Sequence, residues 1–340
     1  MKTHPLLALI GLGTVAVSIG CSPDFDPYLR LQDLRVMAIQ SNPVAPVPGE
    51  STTLTPLVYV PDGMPAPTFE WSWCPLVGTA NDGYPCQFTE AQLAQQLQAA
   101  GADPSVLPPY NLGTQPTAVF PHTLPPAWFA PFCTPPTPGG RALVNCNLGF
   151  PVQIRLVVRL PDGSATIESV RTLNLRLESE TAPNLNPVIS GMSAIEVLPR
   201  PPGSDPKADA PTRVVDTTDG TDGTAATLRR QRNNKIRVAV FADQSQPYID
   251  KDERGSPLPS NERLYISWFF ETGDARRQTS SFIPGESNIE RFLENEWRPE
   301  SPQDYAPNVS RVYAVVRDNR GGVSWRVTTV NLRVVPEDEE

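Results

Sequence analysis

One pattern occurs twice and constrains the fold more than anything else in the chain. Gln153 to Leu177 reads QIRLVVRLPDGSATIESVRTLNLRL, and Arg311 to Val335 reads RVYAVVRDNRGGVSWRVTTVNLRVV. Each runs from an apolar stretch ending in VVR, through an Asp/Gly turn, to a second stretch ending in NLR. Apolar residues alternating with polar ones, broken by Asp-Gly or Gly-Gly, specify two antiparallel strands and a tight turn. A hairpin repeated at such a distance implies that the chain is built from two similar β-units.

The rest of the sequence agrees with strands. Of 340 residues, 40 are proline. Proline removes a backbone donor and fixes φ, so it interrupts helices and central strands alike. Short strands and long irregular connections follow, in an all-β chain. In the first half the strand candidates are Leu34 to Ile39, Ser51 to Val60 and Thr68 to Trp73. In the last of these Phe69, Trp71 and Trp73 share one parity. The second half offers Val188 to Leu198, Lys235 to Ala242 and Leu264 to Phe270, where Trp268 takes the place of Trp71.

The recurring order of strand, Pro-Gly crossing, Trp-bearing strand and closing hairpin resembles bacterial immunoglobulin-like sandwiches of the polycystic-kidney-disease type. That resemblance implies two Ig-like antiparallel β-sandwiches with cores centred on Trp71 and Trp268. We expect domains over residues 32–178 and 187–336, joined by a linker over 179–186. The first carries an insertion over 75–146, and the second a loop over 200–232 that is rich in Pro, Asp, Gly and Thr and is expected to be mobile. The chain closes on an acidic tail, 337–340.

Inside the insertion one stretch has helical signals. Thr89 to Ala100 begins with a Thr-x-x-Gln capping box, stops at Gly101 and places Leu93 and Leu97 on one face. A shorter helix is expected at Asn288 to Glu294. Tyr110, Phe120, Trp128, Phe129 and Phe132 sit among prolines, as a ligand platform would need, or as rings filling the core of a loop-rich segment.

The N-terminus carries an export signal. Lys2 precedes an apolar stretch from Pro5 to Gly20, too short and Gly-rich for a membrane span. Ser18-Ile19-Gly20-Cys21 resembles the lipobox of bacterial lipoproteins, with Ser18 where that pattern prefers Leu. The resemblance implies removal of 1–20, acylation of Cys21, a tether over 21–31 and, because Ser22 follows the cysteine, anchoring in a Gram-negative outer membrane. Past an export signal, the four remaining cysteines Cys74, Cys86, Cys133 and Cys146 imply disulfides. Sequential pairing closes two short loops; nested pairing pins the insertion at its base. No CxxC pair points to zinc.

Catalytic chemistry finds little material. The only histidines are His4 and His122, and no Ser elbow, HExxH or phosphate-binding Gly loop occurs. Asp250-Lys-Asp252-Glu-Arg254-Gly255, with Glu262 beyond it, is the one calcium-like run, although Arg254 holds a ligand position. Asp216, Asp219 and Asp222 form a second acidic group. The net charge of −9 and scattered arginines argue against nucleic-acid binding. No cofactor is expected. The reading is a non-enzymatic, lipid-anchored envelope protein that binds or spaces an envelope protein or glycan; the alternative is an accessory hydrolase or carbohydrate-binding component. One local detail is also expected. Val323, Trp325 and Val327 have one parity and Val330, Leu332 and Val334 the other, so a bulge should fall near Thr328-Thr329.

Overall fold

The computed structural model describes residues 28–76, 85–99, 101–134, 144, 146–177, 183–205, 207–216, 226–229, 233–251, 256–299 and 308–333. The first half contains β1 (Arg35–Asn42), β2 (Ser51–Tyr59), β3 (Thr68–Cys74), α1 (Glu90–Ala99), β4 (Asn111–Gly113), β5 (Ala118–Pro121), α2 (Pro126–Cys133), β6 (Phe150–Arg159) and β7 (Thr166–Leu175). Two sheets, ordered β1-β2-β5 and β4-β3-β6-β7, face each other across one core. Strand β6 shows how the sequence builds it. Phe150, Val152, Ile154, Leu156 and Val158 alternate into the core while Arg155 and Arg159 face water. Trp71 and Trp73 fill the centre, and each indole N–H finds a carbonyl, at Gln115 (3.0 Å) and Pro109 (2.9 Å).

The second half contains β8 (Gly191–Val197), β9 (Thr212–Asp216), β10 (Ala226–Arg229), β11 (Asn234–Ala239), β12 (Pro247–Lys251), β13 (Pro257–Asn261), β14 (Leu264–Phe270), β15 (Asp274–Ala275), β16 (Thr279–Phe282), α3 (Ile289–Leu293), β17 (Glu294–Arg298), β18 (Val309–Asp318) and β19 (Val323–Arg333). Its sheets are β15-β17-β11-β8-β9 and β10-β19-β18-β14-β16, with β12 and β13 forming a separate hairpin. Trp268 lies fully buried and donates to Ser280 Oγ at 3.2 Å. Trp297, which the sequence did not single out, stacks on Phe270 and donates to Thr272 O. The fold is thus all-β, two antiparallel sandwiches with one parallel strand pair among the described residues, β10 with β19.

Several expectations need correction. The insertion is not a separate excursion. Its β5 pairs with β2, its β4 with β3, and Leu93, Leu97, Phe120, Trp128 and Phe129 belong to the first core. The rings are therefore core filling rather than a ligand platform. A second helix, α2, forms despite its internal Pro131. The stretch 200–232, expected to be mobile, supplies β9, paired with β8, and β10, paired with β19. These strands are short and lack strong alternation, so composition concealed them.

The tether over 21–31 is corrected at its far end. Leu29 and Leu31 are buried, and both bond through their backbones to Phe270 of the second sandwich. The expected bulge at Thr328-Thr329 is absent, since β18 and β19 pair without a slip from Val309↔Asn331 to Arg317↔Val323. Both parities of β19 are apolar for another reason. Val330 and Leu332 enter the second core, while Val323, Trp325 and Val327 face a third cluster shared with the first sandwich. The one-residue difference between the hairpins is taken up in their turns, 160–165 against 318–322.

Candidate functional site

The third cluster defines the junction between the sandwiches. From the first come Met37, Ala38, Leu57 and Tyr59, from the second Phe269, Tyr313, Val315 and Val323, and Leu31 joins them. A bulge in β1 makes this face. Val36 pairs with Val58 and Ala38 with Leu57, leaving Met37 as the extra residue. Side chains before and after it still reach the first core, as Val36 and Ile39 do, while Met37 and Ala38 both turn toward the second sandwich. The bulge also frees the Met37 carbonyl, which accepts from Arg317 Nη2 at 2.6 Å.

Polar side chains cross the same seam. Gln40 Nε2 donates to Val323 O at 2.6 Å. Arg171 of β7 donates to Ile39 O, to Ser41 Oγ (2.8 Å) and to Gly321 O of the opposite turn. Asn186, within the expected linker, donates to Ser41 O at 2.9 Å and accepts from Val323 N at 2.8 Å, so one side chain holds both sandwiches. Arg311 reaches Asp62 Oδ1 (2.7 Å) and lies over the Tyr59 ring, whose edge meets Tyr313. At the turn itself a Cβ on Gly322 would sit 2.9 Å from Leu185 O and collide with the Asp318 carboxylate, so only glycine fits.

Beside the seam is a buried ion pair. Arg320 Nη1 meets Glu262 Oε1 at 3.0 Å, and the guanidinium covers the Tyr248 ring. Glu262 also accepts from Gln246 N at 3.1 Å. Burial, helped by neighbouring Asp318, nevertheless pushes its carboxyl up to about 7. Asp318 accepts from the backbones of Arg320 and Gly322, and burial raises it too.

Of the calcium candidates Asp250, Asp252 and Glu262, the first and last lie among the described residues. Asp250 pairs across the β12–β13 hairpin with Leu258, Glu262 is committed to Arg320, and Asp252 lies outside the described residues. No three His, Cys, Asp or Glu converge among the described residues. Asp219, Asp222, the Asp216 side chain, the acidic tail and Cys21 all lie outside them. The four other cysteines pair sequentially, Cys74–Cys86 and Cys133–Cys146. His122 is buried, with Nε2 2.9 Å from Arg176 O and its ring against Phe129; burial holds its pKa below the usual value. That is a packing role.

A charged groove of about 550 Å³ runs along β17. Of its cations, Lys235 pairs with Glu294 (3.1 Å) and Arg276 with Glu296 (2.6 Å), while Arg277 donates to the Arg291 and Glu294 carbonyls. No helix among the described residues is long and apolar enough to cross a membrane.

No family model and no curated protein matches the chain. Among solved structures it is similar to the fibronectin(III)-like modules of Clostridium thermocellum CbhA, at 10% identity over 88% of this chain and 94% of that chain, with a TM-score of 0.21. It is also similar to the three N-terminal domains of the bacteriophage RB49 Highly Immunogenic Outer Capsid protein, at 11% identity over 89% of this chain and 100% of that chain, with a TM-score of 0.20. TM-scores of this size carry no weight for fold or function.

Proposed function

We propose that this chain is a lipid-anchored, non-enzymatic protein of the Gram-negative outer membrane that braces or binds another envelope component as one stiff block. The observation that carries the reading is the junction. Tandem sandwiches on a loose linker would act as a string of independent binders. Here a shared apolar cluster and the bonds of Arg171, Gln40 and Asn186 tie the two together. The anchor enters the same place. Cys21 and Tyr28 are seven positions apart, a reach of about 25 Å at most, and Leu29 and Leu31 are docked at the seam. Acyl chains on Cys21 would therefore hold the block close to the bilayer, each buried CH₂ contributing about 0.8 kcal/mol.

The test is metabolic labelling of the full chain with an alkyne fatty acid, followed by fractionation of the envelope. Label and membrane association on the wild type, both lost in Cys21→Ala, are expected. A wild-type protein without label, or labelled Cys21→Ala, would sink the anchoring. In the same membranes, photo-cross-linking from exposed sites should give one discrete adduct; its absence argues against a binding role.

A further inference from the structure

The seam between the sandwiches is not closed along its whole length. It leaves a cleft of about 280 Å³ whose walls include Tyr28, Val36, Ser169, Val170, Arg171 and Arg317. Among the described residues, no acidic side chain lines it. Both guanidiniums bond to uncharged groups. Arg171 spends its Nη groups on Ile39 O, Ser41 Oγ and Gly321 O, and its Nε is buried with no acceptor. Arg317 donates to Ser267 Oγ at 3.0 Å and to Met37 O at 2.6 Å. Every acceptor is neutral, unlike those of Arg311 and Arg320, which both meet carboxylates. Asp318 acts on Arg171 only through space, and its own Oδ1 is taken by two backbone N–H groups.

Two cations withdrawn from water with no carboxylate bonded to them are costly to hold. Desolvation brings Arg171 down to about 10 against the opposing pull of Asp318, and lowers Arg317 as well. An anion in the cleft would supply what is missing. Guanidinium groups recognise phosphate and carboxylate oxygens, and Ser169 adds a hydroxyl to the wall. Val36 and Val170 give that wall an apolar part. The volume suits a head group and not a larger ligand. Position selects among anions, because Tyr28 stands within about 25 Å of the Cys21 anchor along the chain. Phosphate is the anion that a bilayer surface offers there.

We infer that the cleft between the sandwiches is a phosphate site, occupied by the head group of an anionic phospholipid of the membrane that carries the anchor. The lipid source rests on the anchoring reading; the anion site does not.

The test uses the intact protein in neutral maltoside micelles and reads its thermal midpoint. The titrants are inorganic phosphate, with chloride at matched ionic strength as control, and short-chain phosphatidylglycerol. Both phosphate-bearing titrants should raise the midpoint, with phosphatidylglycerol acting at about tenfold lower concentration because its acyl chains meet the apolar wall. Val170→Glu changes a half-exposed residue without disturbing the core and sets a carboxylate at the cleft. It should weaken both titrants by about tenfold or more, and Arg317→Gln should act in the same direction. Equal action of phosphate and phosphatidylglycerol would overturn the lipid source. No response to either, or an unchanged response in Val170→Glu, would overturn the site. Neither result bears on acylation, which the labelling of Cys21 reads separately.

Discussion

Glu262 and His122 make opposite demands on pH, and each belongs to a different sandwich. Glu262 is held up at about 7, against an ordinary value of 4.5. The folded state thus keeps its proton to higher pH than the unfolded state does. Its stabilising contribution is complete below about 4.5 and is lost as pH rises through about 7. His122 is held below 6.5, so the unfolded chain takes up a proton first and stability is lost as pH falls below that value. The denaturant midpoint should therefore show both a falling and a rising limb in this window. Glu262→Gln should remove the fall toward pH 7, and His122→Gln, which keeps a donor for Arg176 O, the loss below pH 6.5. Profiles unchanged in both variants would show that neither group is buried as described. None of this was legible in the sequence. Glu262 read as a displaced calcium ligand because its partner, Arg320, is 58 positions away, and linear spacing cannot report a contact of that kind.

Elements were more legible, because their signals are local. The capping box of α1 is formed in both directions, Thr89 N to Gln92 Oε1 (2.8 Å) and Gln92 N to Thr89 Oγ1 (3.2 Å). Gly101 takes the left-handed conformation just past the helix, with φ of 78°. Thr89→Ala should cost about 1 kcal/mol in equilibrium unfolding; no loss would mean that the packing of Leu93 and Leu97 alone holds the helix. The pairing of Cys74 with Cys86 and of Cys133 with Cys146 closes loops of similar length, with sequence separations of 12 and 13. Removing either bridge by Cys→Ser at both positions should cost about 3 kcal/mol. Peptide mapping without reductant should recover these two pairs, and any nested pair would contradict the fold of the insertion. The last strand is where local reading failed. Period-two alternation reports whether a side chain is buried but not which body buries it. Val323, Trp325 and Val327 were apolar on what looked like the wrong face because a second sandwich covers that face. The bulge expected in β19 is absent, and the one in β1, at Met37, lies in LRVMAI, which gives no hint of it.

At the scale of the molecule, the two sandwiches were legible from the repeated hairpin and the strand tryptophans, while their union was not. The junction is assembled from Leu31, Met37, Tyr59, Phe269, Tyr313 and Val323, positions spread over nearly the whole chain. Each looks like an ordinary strand residue in its own segment. The stretch 179–186 also reads as a hinge, yet Asn186 is fixed from both sides. A closed junction changes what the protein can do. A flexible pair would sample many spacings; a fixed pair presents one spacing and one orientation. The claim is tested most directly by electron–electron double resonance between spin labels on exposed sites of the two sandwiches, at Thr172→Cys and Val214→Cys. The account predicts one narrow distance distribution, broadened when Arg171→Gln removes the bonds to Ile39, Ser41 and Gly321. A broad distribution in the otherwise unaltered protein would contradict it.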